Sequence, residues 1–77
     1  MKIEVYGSGC PKCKKTFENA KLAVKKAGIN AEVVSVFDVK EVIKKGLSKT
    51  PALFIDGNLK SAGSVPNVEE IVQLLAE

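Results

Sequence analysis

The stretch KIEVYGSGCPKC, residues 2–13, decides the fold class of this chain. Residues 2–6 alternate polar with apolar side chains, which is the pattern of a strand with one buried face. Residues 7–9 form a turn with minimal side chains. Pro11 then favours the first turn of a helix, because its φ suits that position and it lacks an N–H that would be unpaired anyway. A strand, a turn and a helix therefore follow one another, and two cysteines stand at the junction.

The predicted helix that begins at Pro11 has apolar residues at three- and four-residue spacing, which indicates a stripe facing the core. Gly28 suits the left-handed residue that ends many helices. Residues 31–37 then predict a second strand, and its paired apolar residues indicate burial on both faces, as in a parallel sheet. The predicted stripe of the helix is Cys13, Phe17, Ala20, Val24 and Ala27.

The second half of the chain predicts a short helix and a hairpin. Asp38 with Glu41 three residues later is a helix-start pattern, and we expect Val39, Val42 and Ile43 to face inward from this helix. Residues 52–55 predict a third strand. The sequence Asp-Gly-Asn at 56–58 is a strong turn signal, so a fourth strand at 59–62 should return antiparallel.

A final helix is predicted from Asn67, because Glu70 follows it at the spacing of a capping box. The order β-α-β-α-β-β-α predicts an α/β fold in a single domain spanning residues 1–77. The first crossover gives parallel strands and the hairpin adds antiparallel ones. We therefore expect a four-stranded mixed sheet with helices on both faces. The buried stripe of the last helix is predicted to be Val68, Ile71, Val72 and Leu75.

The composition excludes several kinds of chemistry. All twelve basic residues are lysine, the formal charge is +3, and histidine is absent, which rules out His-dependent catalysis. A nucleic-acid binder would more often use arginine and interleaved aromatics, so we expect no nucleic-acid partner. A structural zinc site normally needs four Cys or His ligands, and the chain has two cysteines. Three uses of the two cysteines remain: redox chemistry, a soft-metal site with two thiolate ligands, and a structural disulfide.

The location is predicted from the absence of targeting signals. No apolar run approaches the ~20 residues that a membrane span needs. Residues 1–5 have no apolar core followed by a small-residue cleavage site, so they do not resemble a signal peptide. We expect a cytoplasmic monomer with no membrane partner.

Cys10 and Cys13 form a CxxC pair at the predicted helix start. Two intervening residues, wound as the first helical turn, bring both sulfurs within disulfide reach with little backbone motion. Unpaired N–H groups at the helix N-terminus favour a thiolate at Cys10, and Lys12 adds a nearby cation. We therefore predict that Cys10 attacks and that Cys13, one turn further on, resolves the mixed disulfide. Pro11 and Lys12 are the predicted supporting residues of the motif.

Two other uses of these cysteines are open. A structural disulfide is disfavoured by a reducing cytosol and by the small loop, because short loops constrain the unfolded chain least. A Cu(I) carrier is the main alternative, since thiolates select Cu(I). Small copper chaperones, however, usually have Met two residues before the first Cys, where this chain has Ser8. They also end on a strand, whereas this chain is predicted to end on a helix.

The whole chain resembles the thioredoxin superfamily at glutaredoxin-like size, and it is most similar to the short redox-active disulfide proteins of archaea and bacteria. Four features carry the resemblance. They are CPKC at 10–13, Thr50-Pro51 before the third strand, the Asp56-Gly57 turn, and Gly63 after the fourth strand. It departs from thioredoxins at Gly9, where they have Trp, and from glutaredoxins at Lys12, where they favour an aromatic residue.

The resemblance implies a disulfide oxidoreductase that needs no cofactor. Its expected partners are protein disulfides, together with an upstream reductase or a low-molecular-weight thiol that renews the dithiol. Pro51 is expected to be cis and to pack beside the sulfurs, while the backbone of Thr50 and Gly63 contact substrate. Glu4 lies six residues before Cys10, where thioredoxins have a buried Asp, and is expected to serve the thiol of Cys13.

Overall fold

The computed structural model describes residues 1–76. Glu77, the last residue of the predicted domain, lies outside the described residues. The element order is the predicted β-α-β-α-β-β-α. The elements are β1 (Lys2–Tyr6), α1 (Pro11–Ala27), β2 (Glu32–Val36), α2 (Val39–Lys44), β3 (Ala52–Ile55), β4 (Asn58–Ala62) and α3 (Val68–Leu75).

The four strands form one mixed sheet in the order β2-β1-β3-β4. β1 runs parallel to β2 and antiparallel to β3, and β4 is antiparallel to β3. α1 and α3 pack on one face of this sheet, and α2 packs on the other. The predicted α/β fold with helices on both faces is therefore confirmed.

The core has one cluster on each side of the sheet. On the larger side, alternate residues of β1 and β3 meet the small and apolar residues of α1 and α3. That cluster consists of Ile3, Val5, Ala20, Ala23, Leu53, Ile55, Ile71 and Leu75. On the smaller side, Tyr6, Ala52 and Phe54 pack against Val42 of α2. β1 and β3 are central strands, so they contribute to both clusters.

The ends of α1 agree with the prediction, and its predicted stripe does so in part, because Cys13 and Ala20 are buried and its other members pack against the core without being fully buried. Pro11 is the first helical residue, and Gly28 ends the helix at φ 66° with its N–H donated to two preceding carbonyls. Phe17, Val24 and Ala27 are only half-buried. The buried residues are Cys13, Thr16, Asn19, Ala20 and Ala23.

The two buried polar residues of α1 explain this difference. Thr16 donates its hydroxyl to the carbonyl oxygen of Lys12 at 2.9 Å. Asn19 donates its side-chain N–H to the carbonyl oxygen of Pro66 at 3.0 Å, which ties α1 to the segment before α3. Hydrogen-bonded polar groups can be buried at little cost. The inward line of α1 is therefore centred on small and polar residues, with the larger apolar ones at its margins.

Two burial predictions in the middle of the chain are confirmed only in part. Val33 and Val36 of β2 pack against the clusters on opposite faces of the sheet, but both are only half-buried because β2 is an edge strand. In α2, Val42 is buried but Val39 is 56% exposed and Ile43 is 70% exposed. A six-residue helix has fewer than two turns. In its orientation on the sheet, Val42 is the residue of α2 that is buried.

The hairpin and the last helix follow the sequence signals. Asp56 and Gly57 both have positive φ, as a two-residue type I′ turn requires. Asn67 and Glu70 form the predicted capping box at the start of α3. Ile71 and Leu75 are buried, whereas Val68 and Val72 are half-buried. Within residues 1–76, no helix has both the length and the apolar character needed to cross a bilayer.

Candidate dithiol site

Four chain segments meet at one end of the strands, beyond Tyr6 at the C-terminal end of β1. We call this end of the sheet its upper edge, and it is distinct from the outer strands β2 and β4. Tyr6 is in register with Val36 and with Ala52, and Ala52 pairs with Ala62. The turn at 7–9, the start of the β2–α2 connection, the segment before β3 and the residues after β4 therefore lie at the same edge. Two backbone hydrogen bonds join these segments, from Gly7 to Val36 and from Gly63 to Pro51, at 3.2 and 3.0 Å respectively.

The two cysteines lie at this edge as adjacent free thiols. Their Sγ atoms are 3.0 Å apart, within hydrogen-bond distance for sulfur. Cys10 is half-buried, whereas Cys13 has no exposed surface. The backbone N–H of Lys14 donates to the carbonyl of Cys10, which closes the first turn of α1 between the two sulfurs. One thiol is therefore accessible from outside and the other lies behind it.

Hydrogen bonds stabilise the ionised form of the outer thiol. The Cys13 thiol is the main cause, and with the backbone N–H of Cys13 it lowers the pKa of Cys10 from 9.0 to about 7. Burial opposes this shift in pKa, while the Ser8 hydroxyl and the backbone N–H of Lys12 add to it. The lowered pKa raises the thiolate fraction of Cys10 at neutral pH, and the thiolate is the nucleophile of cysteine chemistry.

The supporting residues act differently from the prediction. Pro11 and Lys12 have exposed side chains. Lys12 lowers the pKa of Cys10 through its backbone N–H, and the expected effect of its ammonium group is not among the causes of the shift. The sequence pattern indicates only a small turn residue at Ser8. A hydroxyl two residues before a helix-start cysteine is the signal that could have identified it as a donor to the thiolate.

The bond between Thr50 and Pro51 is cis, which confirms that prediction. Pro51 is fully buried and Thr50 is half-buried. A methyl carbon placed on Gly7 would lie 2.2 Å from Cys13 Sγ and 4.0 Å from Thr50 Cβ. Thr50 and the buried thiol therefore both lie beside the same glycine. The structure brings together these two parts of the predicted site.

Gly63 lies beside this turn. Its N–H donates to the carbonyl of Pro51, and its φ is +83°. The stem of Lys49 covers it, since a Cβ on Gly63 would be 3.0 Å from Lys49 Cδ. A substrate that approaches Gly63 would therefore also meet the side chain of Lys49.

Glu4 is not brought to the cysteines. Ile3 and Val5 face the layer of α1 and α3, so Glu4, which lies between them on β1, faces the α2 side. There the Tyr6 hydroxyl donates to Glu4 Oε2 at 3.1 Å. Burial and this neighbouring carboxylate raise the pKa of Tyr6. Glu4 is therefore not placed to assist the thiol of Cys13 as expected, because the sheet lies between Glu4 and α1, the helix that carries Cys13.

The metal-binding capacity of the site rests on the two sulfurs. Among residues 1–76, no group of three or more His, Cys, Asp or Glu side chains could hold a metal ion. A metal ion at this site would therefore have two thiolate ligands from this chain. Such a donor pair suits Cu(I) better than harder ions.

Comparisons with known proteins agree with this site. A family model described as "Thioredoxin domain" matches residues 1–76. The chain is 41% identical over 76 residues to a thioredoxin of Methanothermobacter thermautotrophicus, covering 99% of each protein. It is 45% identical over 73 residues to a thioredoxin of Methanocaldococcus jannaschii, covering 95% of this chain and 84% of that relative. These similarities span nearly the whole chain, including every segment that meets at the site.

Proposed function

This chain belongs to the thioredoxin family, and from that premise we propose that it is a thiol–disulfide oxidoreductase working through Cys10 and Cys13. The observation that carries the proposal is the asymmetry of the pair. The half-buried Cys10 has its pKa lowered to about 7, and the fully buried Cys13 lies 3.0 Å behind it. A structural disulfide needs neither an accessible thiolate nor a buried thiol that donates to it.

The two cysteines take the roles of nucleophile and resolving thiol. The Cys10 thiolate attacks one sulfur of a substrate disulfide, so a Cys10–substrate bond forms and the substrate S–S bond breaks. The departing sulfur leaves as a thiolate and takes up a proton. The Cys13 thiol then loses its proton and attacks Cys10 Sγ, which releases the second substrate sulfur. Two electrons pass from the dithiol to the substrate, and the Cys10–Cys13 disulfide remains.

The substrate groove is formed by the segments around the sulfurs. We assign Thr50, Pro51 and Gly63 to its wall, because they lie at the same sheet edge as the CxxC turn. An extended substrate would pair with the backbone of Thr50 in the manner of an added strand. The buried ring of Pro51 would keep that backbone in position.

The expected partners are those of a general disulfide reductant. We propose that the dithiol reduces protein disulfides and that an upstream reductase or a low-molecular-weight thiol renews it. The chain is proposed to act as a cytoplasmic monomer and as a single domain over residues 1–77. The name thioredoxin, carried by both relatives, supports this choice over a glutathione-specific enzyme.

Mixed-disulfide trapping tests the roles of the cysteines. Cys13→Ser should accumulate a covalent complex with a protein disulfide such as insulin, because Cys10 still attacks but nothing resolves the product. Cys10→Ser should accumulate none. If iodoacetamide modifies Cys13 faster than Cys10 in the reduced wild-type protein at pH 7, this assignment is wrong.

A metal titration tests the alternative function. The reduced protein should reduce insulin faster than an equal concentration of dithiothreitol. Its affinity for Cu(I), measured by competition with a chromophoric chelator, should be that of an ordinary dithiol. Tight Cu(I) binding without disulfide reduction above the dithiothreitol rate would instead favour a copper carrier.

A further inference from the structure

Gly7, the residue that follows β1, differs from the other glycines of the chain. The other five all have positive φ, and Gly7 does not. Its backbone conformation is therefore one that any residue can adopt. The requirement for glycine at this position must come from what surrounds it, and Gly7 is buried.

The group that surrounds Gly7 is the resolving cysteine. A Cβ atom on Gly7 would lie 2.2 Å from Cys13 Sγ and 2.9 Å from Cys13 Cβ. Nonbonded heavy atoms are at their best separation at about 3.5–4.0 Å, so neither contact can be accommodated without movement. The buried thiol occupies the space that any side chain at position 7 would need.

Neither partner is free to move away. The N–H of Gly7 donates to Val36 at 3.2 Å, which continues the pairing of β1 with β2. Cys13 lies in the first turn of α1, and Thr16 donates its hydroxyl to the carbonyl of Lys12 beside it. The sulfur of Cys13 therefore lies close to the backbone of Gly7 and also 3.0 Å from Cys10 Sγ.

We propose that Gly7 is the positioning residue of the dithiol: by having no side chain, it seats Cys13 Sγ against the end of β1, within hydrogen-bond distance of Cys10. The role of Gly7 in catalysis rests on the proposed function, but the steric relation between Gly7 and Cys13 does not depend on it. Replacing Gly7 by alanine displaces the inner sulfur and weakens its hydrogen bond to Cys10. Cys10 then becomes a less acidic and slower nucleophile at neutral pH.

A double-mutant cycle tests the steric relation, with Gly7→Ala, Cys13→Ala and the combined variant compared in urea unfolding of the reduced proteins. Removing the sulfur removes the closer of the two contacts. Gly7→Ala should therefore lower the folding equilibrium constant at least tenfold more in the wild-type background than in the Cys13→Ala background. Equal penalties in the two backgrounds would overturn the proposal. If Gly7→Ala alone does not fold, Gly7→Ala combined with Cys13→Gly, which removes both contacts, should be as stable as Cys13→Gly alone. A combined variant clearly less stable than Cys13→Gly would overturn the proposal.

The pH profile of Cys10 alkylation by iodoacetamide tests the functional consequence. In folded Gly7→Ala, a rise of one unit in the pKa of Cys10 would lower the alkylation rate at pH 7 about fivefold. In the Cys13→Ala background, adding Gly7→Ala should leave the profile unchanged. Gly28→Ala is the control, because nothing lies within 4 Å of a Cβ at that distant position. It should alter stability and leave the alkylation profile of Cys10 as in the wild type.

The two proposals fail in distinguishable ways. If the wild-type dithiol does not reduce insulin but Gly7 and Cys13 are coupled in stability and in the alkylation profile, the positioning role holds and the oxidoreductase function is wrong. If insulin is reduced but folded Gly7→Ala has the wild-type alkylation profile, the positioning role is wrong and the function stands.

Discussion

The charge state of Cys10 is set by donors that lie on both sides of it in the sequence. Ser8 precedes it in the turn, while Lys12 and Cys13 follow it in the first turn of α1. Cys10 occupies the N-cap position of α1, where backbone N–H groups have no helical partner. A thiolate at Cys10 is therefore stabilised by nearby N–H groups at the start of α1. Its reactivity follows from this local geometry more than from the net charge of the protein.

Ser8→Ala should make Cys10 less acidic. The Ser8 hydroxyl is one of the groups that lower the pKa of this thiol to about 7, so its loss raises the pKa and reduces the thiolate fraction at pH 7. The measurement is the iodoacetamide rate as a function of pH. Lys12→Gln is the control, because it removes the ammonium group and keeps the backbone N–H that bonds the thiolate. A larger shift in Lys12→Gln than in Ser8→Ala would contradict this account.

The sequence identifies the two cysteines of the proposed site more readily than the residues that surround them. CxxC at a helix start identifies Cys10 and Cys13, because the spacing itself defines the geometry. The roles of Gly7 and Ser8 depend on contacts between the turn and the first helical turn, which no periodic pattern reports. Glu4 is the reverse case, since its distance along the chain suggested a contact with Cys13. The alternation of side chains along β1 places it on the other face of the sheet.

At the scale of elements, the sequence signals that depend on backbone chemistry were accurate. The proline at the start of α1, the Asp-Gly turn and the capping box at Asn67 each fix local φ or satisfy a terminal N–H, and each is present. Burial was predicted less well. A short helix such as α2 shows three apolar residues within five positions, but only its geometry on the sheet decides which one packs inward.

The pair Val42 and Ile43 tests this packing of α2. Val42→Ala should lower the free energy of unfolding by about 2 kcal/mol, because it removes buried methyl groups from the cluster around Tyr6 and Phe54. Ile43→Ala should change it by less than about 0.5 kcal/mol, because this side chain is 70% exposed. Urea unfolding of both variants measures the difference. A larger loss at Ile43 than at Val42 would mean that α2 is rotated from the orientation described above.

Asn19 should be more important for stability than its polarity suggests. Its side chain is buried and donates to the carbonyl of Pro66, so Asn19→Ala leaves that carbonyl without its donor. The expected loss is about 1–3 kcal/mol in the free energy of unfolding. Asn30→Ala makes the same chemical change at an exposed position and should cost less than about 0.5 kcal/mol. Equal losses in the two variants would contradict the proposed link between α1 and the segment before α3.

At the scale of the whole molecule, the order and direction of the strands bring the segments of the site together. Residues 7–13, the turn at 50–51 and Gly63 are far apart in sequence, but β1 and β4 end at the edge where β3 begins. The resemblance to the thioredoxin superfamily predicts part of this meeting, because it implies that Pro51 packs beside the sulfurs. The sequence does not predict that the thiol of Cys13 and the side chain of Thr50 both lie beside Gly7. That arrangement depends on how closely α1 packs onto β1.

The free energy of unfolding of the reduced protein should depend on pH through the ionisation of Cys10. Its pKa in the folded state, about 7, lies below the ordinary value of 9.0. A depressed pKa contributes stability that is fully present above the unfolded pKa and is lost as pH falls through the folded pKa. The reduced protein should therefore lose stability as pH falls from about 9 to about 7. The Cys10→Ser variant has no thiol at this position and serves as the reference.

The reduction potential of the Cys10–Cys13 couple should show the same ionisation. Below the pKa of Cys10, reduction of the disulfide takes up two protons with two electrons, so the potential falls by about 59 mV per pH unit. Above that pKa Cys10 stays ionised, only one proton is taken up, and the slope falls to about 30 mV per unit. Equilibration with dithiothreitol buffers from pH 5.5 to 8.5 should place the break near pH 7, and Ser8→Ala should move it upward. A constant slope of about 59 mV through pH 8.5 would mean that Cys10 remains a neutral thiol.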